Sequence, residues 1–345
     1  MCNIAGYVGT LPAAPILIDM MRREEGWDAG FYTGIATLSE GNIHYAKLTG
    51  ALDHLLKNTS AASCPGTVGL LHSRTPSGGG DEWAHPFVGE QNGKITTAYV
   101  ANGAVGIFKN QMEKAGLLAA QLEKDGFIFR SRTPGPVSGY PMLPDGGCVH
   151  MSDLMAQLVT AKIQEGLRAD LAMNKAFCQL PSEIVGLLLS LQEPGSIAWS
   201  RVNMPMFLAF APHGAYLAST PQAFPKDASE PLLLPANSGG LVYKDHFTAA
   251  PYAAPPARVA PVSARLLHTA CTEIESALRQ KGHTMPELVQ LIARLFSGSD
   301  CYQKNAVVYQ VLYALEQEGR LTAEKMDRPG ILEGLTAPRF IAQLK

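Results

Sequence analysis

Short apolar runs separated by turn residues dominate the first hundred positions of the chain. Ile4–Val8, Val68–His72 and Ile95–Val100 are rich in β-branched residues, and the pattern predicts buried strands there. Between those runs, Ala13–Arg23 and Gly50–Asn58 have the spacing of short amphipathic helices. A clearer helix is expected over Asn110–Lys124, with Leu117, Leu118, Ala120 and Leu122 on its apolar side and Gly126 after its end. Arg130–Gly147 reads as a loop, because Pro134, Pro136, Pro141 and Pro144 remove backbone donors and four glycines loosen the chain. Ser152 is the expected N-cap of a helix running through Leu154, Leu158 and Ile163. Pro181 introduces another expected helix over Ser182–Leu191, and Ile197–Arg201, Met206–Ala211 and Ala215–Ser219 read as strands.

His246–Val262 carries Pro251, Pro255, Pro256 and Pro261 among alanines, the composition of a semi-rigid linker. After it the pattern is helical. Ala264–Lys281 places Leu267, Ala270, Ile274, Ala277 and Leu278 at helical spacing and stops at Gly282. Thr284 and Glu287 form a capping box that opens a helix to Phe296. Asn305–Glu318 carries Val308, Val311, Leu312 and Leu315 on one face. Three short helices followed by an extended, hairpin-like tail resemble a winged-helix domain. No repeat of solenoid length is present.

Composition narrows the function classes. The 345 residues correspond to roughly two domains. With 28 Lys+Arg against 30 Asp+Glu the formal charge is −2, which supplies no basic footprint for nucleic acid. The longest apolar runs, Ile184–Leu191 and Met204–Ala211, fall well short of the ~20 residues of a bilayer span. The first basic residue is Arg22, and Pro12 and Pro15 break the early apolar segment, unlike a secretion signal. Asn58-Thr59-Ser60 is then an incidental match to a glycosylation sequon. Cys2, Cys64, Cys148, Cys178, Cys271 and Cys301 include no CxxC pair and no Cys/His cluster at zinc spacing. Free thiols, a cytoplasmic setting and no metal or cofactor are expected.

Cys2 carries the chemistry. Removal of Met1, favoured by a small second residue, would leave Cys2 at the N-terminus. Nucleophile and base then share one residue. An α-amine with a pKa near 7.7–8 is partly neutral in the cell and can take the thiol proton, directly or through a water. A Cys at position 2 also arises by chance, so its company decides. Cys2-Asn3-Ile4-Ala5-Gly6-Tyr7-Val8-Gly9 opens the chain as a strand, and Leu71-His72-Ser73-Arg74-Thr75-Pro76-Ser77 puts an Arg where a strand becomes a loop. Ala84-His85-Pro86-Phe87 follows, and Tyr99-Val100-Ala101-Asn102-Gly103 ends another strand in Asn-Gly. Ser152-Asp153 opens a helix, and Gly214-Ala215-Tyr216-Leu217-Ala218-Ser219 comes later.

Taken in this order across Cys2–Pro225, these segments resemble the class II glutamine amidotransferases. These are N-terminal nucleophile hydrolases whose glutaminase domain also opens the bacterial glucosamine-6-phosphate synthases (glutamine–fructose-6-phosphate aminotransferases). The resemblance implies an α+β fold with a four-layer αββα sandwich in a glutaminase domain at 1–245. The linker at 246–262 and a winged-helix-like or all-helical domain at 263–345 would follow. It implies hydrolysis of L-glutamine to L-glutamate and ammonia through a thioester on Cys2. By position, the Asn102 side chain and the Gly103 backbone N–H match the oxyanion hole. Arg74 matches the residue that grips the substrate α-carboxylate, for which a planar fork of donors is suited. Ser77 and His85 match neighbouring substrate-pocket positions, and Asp153 matches the acid that holds the α-ammonium.

Departures from the family pattern shape the rest of the reading. Thr75 stands where the synthases have a Trp that gates the ammonia path, and Ala101 where a His usually precedes Asn-Gly. The interval from Asn102 to Asp153 is longer than usual. Residues 263–345 are too few for the sugar isomerase domains, so an ammonia-accepting synthase or transferase is expected on another chain. That segment has 10 Lys+Arg and 9 Asp+Glu, which disfavours DNA and favours dimerisation or partner docking. Neither nucleic acid nor membrane is an expected partner, and a homodimer stays open. The alternative function is a catalytically silent glutamine-binding regulatory or scaffold protein. A third reading, a different amide substrate, is disfavoured by Arg74 and Asp153, which together match a zwitterion.

Overall fold

A computed structural model describes residues 2–104, 106–137, 139–296 and 303–345. Strand β1 (Asn3–Gly9) leads into helix α1 (Ala13–Glu24), the hairpin β2 (Tyr32–Ser39) and β3 (Asn42–Thr49), and α2 (Leu52–Asn58). Strands β4 (Val68–Arg74), β5 (Phe87–Gln91) and β6 (Lys94–Ala104) precede helices α3 (Met112–Lys124), α4 (Met151–Gln164) and α5 (Ala169–Gln179). Then come β7 (Glu183–Ser190), β8 (Ile197–Arg201), β9 (Phe207–Ala211), β10 (Gly214–Ala218), β11 (Leu232–Leu233), β12 (Ser238–Val242) and β13 (Ala250–Pro251). Helices α6 (Ala264–Gln280), α7 (Met285–Ile292) and α8 (Lys304–Gln317) and the hairpin β14 (Leu321–Pro329) with β15 (Thr336–Leu344) complete the described residues.

Period-two burial builds two sheets face to face. The first runs β11-β9-β10-β1-β4-β2-β3 and the second β13-β12-β8-β7-β6-β5. Along β1, Ile4 and Val8 turn toward the second sheet and join Val100, Val185, Leu187 and Trp199 in the core between the sheets. Ala5 and Tyr7, on the opposite face, pack with Leu17 and Met21 of α1. On the far side of the second sheet, Tyr99 and Leu188 pack with Leu154 and Val159 of α4 and Met173 of α5. Helix, sheet, sheet and helix therefore stack in four layers, as expected. Ile274, Leu288 and Leu312 of α6, α7 and α8 belong to the same core as α1. Trp27 meets Phe340 of β15 at 5.1 Å between ring centroids. No helix among the described residues is long and apolar enough to cross a membrane.

Several local expectations are corrected. Ser182–Leu191 is not a helix: residues 183–190 form the central strand β7, paired with β6 and β8. Both faces of β7 are buried, so it reads as a continuous apolar run with no alternation to betray it. Ser152 is not the cap of α4. The His150 Nδ1 accepts from the Ser152 N–H at 3.0 Å, and Ser152 lies in the first turn. Helix α3 starts at Met112 after a 3-10 turn and buries Ala115, Ala119 and Leu122, while Leu117 is exposed. Helix α5 has no counterpart in the sequence reading. The stretch at 246–262 is no free spacer. Ala250–Pro251 pairs with Ser238–Gly239, and the buried Tyr252 shares a 2.7 Å hydroxyl contact with Ser200. The capping box of Thr284 and Glu287 is present. Cys64, Cys148, Cys178 and Cys271 are free, as is Cys2, and Cys301 lies outside the described residues.

Candidate active site

Strand register brings the expected residues to one end of the sandwich. β1 pairs antiparallel with β4 so that Asn3 lies opposite Ser73, which sets Cys2 beside the Arg74–Thr75 turn. The Cys2 Sγ is 3.7 Å from the Thr75 Oγ1. From the facing sheet, the Asn102 Nδ2 of β6 donates to the Cys2 carbonyl at 2.8 Å. Gly103 follows it, tight against β7: a Cβ there would lie 2.6 Å from the Glu183 carbonyl oxygen. A cavity of about 370 Å³ opens here, and Cys2, Arg74, Ser77, His85, Gly103 and Tyr140 are among its lining residues. This is ample for a small metabolite. A larger opening of about 740 Å³ by Arg23, Lys226 and Glu316 contains none of these residues.

The surroundings of Cys2 favour a thiolate. Burial raises the Cys2 thiol, but the hydrogen-bonding reach and charge of His72 outweigh it and bring the pKa down to about 6. The His72 Nε2 is 2.9 Å from the Ala101 carbonyl, and its ring lies 3.8 Å from that of His85. His85 is buried, and neither ring nitrogen has a hydrogen-bond partner among the described residues. Burial holds His85 well below the usual imidazole range, with His72 and His150 adding to the effect. His150, 5.4 Å from His85 between ring centroids, is lowered for the same first reason. Both rings are therefore neutral near pH 7.

Arg74 is buried and its guanidinium is held from three directions. Nη1 donates to the Trp83 carbonyl at 3.0 Å, and Nη2 donates to the Gly78 carbonyl at 2.9 Å and the Tyr140 hydroxyl at 3.0 Å. The Tyr32 ring lies 4.4 Å below it, a cation–π contact. Asp153 does not line the cavity. It is fully buried, with Oδ2 accepting from the Ser131 N–H at 2.9 Å and Oγ at 2.8 Å, and Oδ1 accepting from Gln157 at 3.0 Å. Burial raises its carboxyl.

Two buried acids, Glu24 and Glu25, stand behind β1. Burial pushes Glu24 well above the carboxylate range. The Glu25 Oε1 accepts from Ser73 Oγ at 2.8 Å, Leu52 N at 2.9 Å and Thr33 Oγ1 at 3.3 Å, and burial raises this carboxyl to about 7. In the unfolded chain the group titrates near 4.3. Between these values the folded protein keeps a proton that the unfolded chain has lost. The stability Glu25 contributes is thus full below about pH 4 and lost as pH rises to about 7. Glu25→Gln keeps the Oε1 acceptor and cannot ionise. It is expected to match the parent at pH 4.5 and to exceed it at pH 8 by on the order of 1–3 kcal/mol in urea unfolding. His85 and His150 act oppositely, favouring the fold above the unfolded value near 6.5, but equally in both proteins.

Six of the seven residues expected from sequence therefore converge: Cys2, Asn102, Gly103, Arg74, Ser77 and His85. Asp153 stands behind the wall. Sequence reasoning missed the influence of His72 on the Cys2 thiol, although His72 sits two residues before Arg74. It also missed Tyr140, which nothing in a Pro/Gly-rich loop distinguishes, and His150 at the start of α4.

No protein-family model matches the chain. Among curated proteins, it is 27% identical over 252 residues to the glutamine–fructose-6-phosphate aminotransferase (isomerizing) of Pyrococcus horikoshii, a match covering 72% of this chain and 37% of that protein. The enzymes of the same name from Synechocystis and Thermosynechococcus vestitus are each 30% identical, over 64% and 70% of this chain and 32% and 34% of theirs. The chain thus spans about a third of the length of these relatives. Glutamine phosphoribosylpyrophosphate amidotransferase of B. subtilis shares the fold, with a TM-score of 0.59 at 15% identity over 94% of this chain and 66% of that one. A structure described as the allosteric regulatory enzyme of purine biosynthesis aligns at a TM-score of 0.61 and 16% identity, over 99% and 71% of the two chains. Over about 250 residues the chain is thus similar in sequence to the glutamine–fructose-6-phosphate aminotransferases, and it shares its four-layer sandwich fold with these structures.

Proposed function

We propose that the chain hydrolyses L-glutamine to L-glutamate and ammonia, with Cys2 as nucleophile once Met1 is removed. The observation that carries this reading is that Cys2 and Gly103 line one cavity while the Asn102 side chain, next to Gly103, is hydrogen-bonded to the Cys2 carbonyl. The neutral α-amine takes the thiol proton, and the sulfur attacks the side-chain amide carbon. The oxyanion formed accepts from Gly103 N–H and from the second Asn102 Nδ2 hydrogen, the first being held by the Cys2 carbonyl. The C–N bond then breaks, the nitrogen takes the proton from the α-ammonium, and ammonia leaves a thioester on Cys2. Water attacks the thioester, restoring the thiol and releasing glutamate. Arg74, Ser77 and His85 form the substrate end of the pocket, and Asp153 takes the ammonium only after Ser131 yields it.

In the same reading the glutaminase unit spans 1–245 in a cytoplasmic protein, and ammonia passes to a synthase or transferase on another chain. The helices and hairpin of 263–345 serve partner docking or homodimer formation. The alternative carried from the sequence is a silent glutamine-binding regulator. Incubation with L-glutamine separates the two. Glutamate and ammonia are expected in equal amounts from protein whose intact mass lacks Met1. Glutamine binding without turnover by such protein overturns the enzymatic reading.

A further inference from the structure

The Tyr140 hydroxyl lies between two groups of the substrate pocket. It accepts from the Arg74 Nη2 at 3.0 Å and donates to the Ser77 Oγ at 3.0 Å. Its ring is wedged edge-on to Trp83 at 4.8 Å and against His150 at 4.8 Å, so the contact is built into the packing. A guanidinium can grip a carboxylate with two parallel bonds along either of two edges, Nε with Nη2 or Nη1 with Nη2. Both edges need a hydrogen on Nη2, and both Nη2 hydrogens are spent on Gly78 and Tyr140. At its base the loop that carries Tyr140 also occupies Asp153, through Ser131.

We infer that Tyr140 is an internal occupant of the carboxylate position, and that a substrate carboxylate binds by displacing its hydroxyl from Arg74 and Ser77. The inference rests on the glutamine reading above and adds to it the residue that sets affinity for the substrate's carboxylate end. Binding must break two hydrogen bonds that the empty protein already makes. Removing the hydroxyl removes that competition while the ring keeps its packing.

The test compares Cys2→Ala with Cys2→Ala/Tyr140→Phe by calorimetry, so that no turnover intrudes. L-glutamine is expected to bind the double variant about tenfold more tightly, the weight of one hydrogen bond to a charged group. 4-Aminobutanamide, which keeps the amide and amine of glutamine but lacks its carboxylate, is expected to bind both proteins equally. Unchanged or weaker glutamine binding by the double variant overturns the inference, weaker binding marking Tyr140 as part of the grip. An equal gain for 4-aminobutanamide overturns it too, since the effect would not then be at the carboxylate. Turnover by the wild-type chain is measured separately. Its absence refutes the enzymatic reading and leaves this comparison intact.

Discussion

Cys2→Ala is expected to reduce glutamine turnover to background, a loss on the order of 10⁴-fold or more. In the proposed mechanism the magnitude follows from removing the atom to which the acyl group is transferred. Cys2 is partly exposed at the start of β1, outside the packed cores, so the thermal midpoint should stay within a few degrees of wild type. The thiol's environment supplies a second readout. With a pKa of about 6, alkylation of Cys2 by iodoacetamide should climb through pH 6 and level off by about pH 7.5. Cys64, Cys178 and Cys271, whose thiols burial pushes up, should lag at those pH values. His72→Ala should shift the Cys2 midpoint upward, because burial then acts against the thiolate with its chief opponent gone. A Cys2→Ala protein that still releases ammonia would sink the mechanism.

Loss of the Arg74 guanidinium is the next largest effect. Arg74→Ala is expected to lower kcat/KM for L-glutamine by about 10²–10⁴-fold, the weight of two hydrogen bonds to a charged carboxylate at roughly 1.5–3 kcal/mol each. Most of this should appear in KM, because the carboxylate is bound in ground and transition states alike. Arg74→Lys should recover only a small part, since an ammonium on a flexible stem cannot reproduce the fork. Both variants also release the Gly78 and Trp83 carbonyls, so some thermal stability goes with them. Equal KM values for Lys and wild type would show that charge alone matters at this position.

The parts legible in the sequence are those where one physical signal dominated. Ile4–Val8 and Val68–His72 alternate or branch as strands do, and Thr284 with Glu287 caps its helix through a pattern written in adjacent residues. The site was legible for a different reason. Cys2, Arg74, Asn102 and Gly103 each sit at a strand end, where short segments of fixed residue type mark chemistry rather than packing. What stayed hidden depends on partners far away in sequence. Glu183–Ser190 is a strand because β6 and β8 flank it, not because of its own periodicity. Asp153 is withheld from the cavity by Ser131, 22 positions earlier. The hydroxyl that meets Arg74 comes from a loop 66 positions on.

The central place of β1 in its sheet also orders events in time. Ala5 pairs with Ala218 of β10 on one side and with Leu71 of β4 on the other, so the strand has only one of its two neighbours until residue 218 has been made. At 5–20 residues per second the ribosome needs roughly 10–40 s to reach that point. Throughout that interval β1 is an edge with unsatisfied backbone groups, and the terminus ahead of Cys2 stays open to an aminopeptidase. In the proposed mechanism, this is the interval in which removal of Met1 meets no folded sheet beside Cys2.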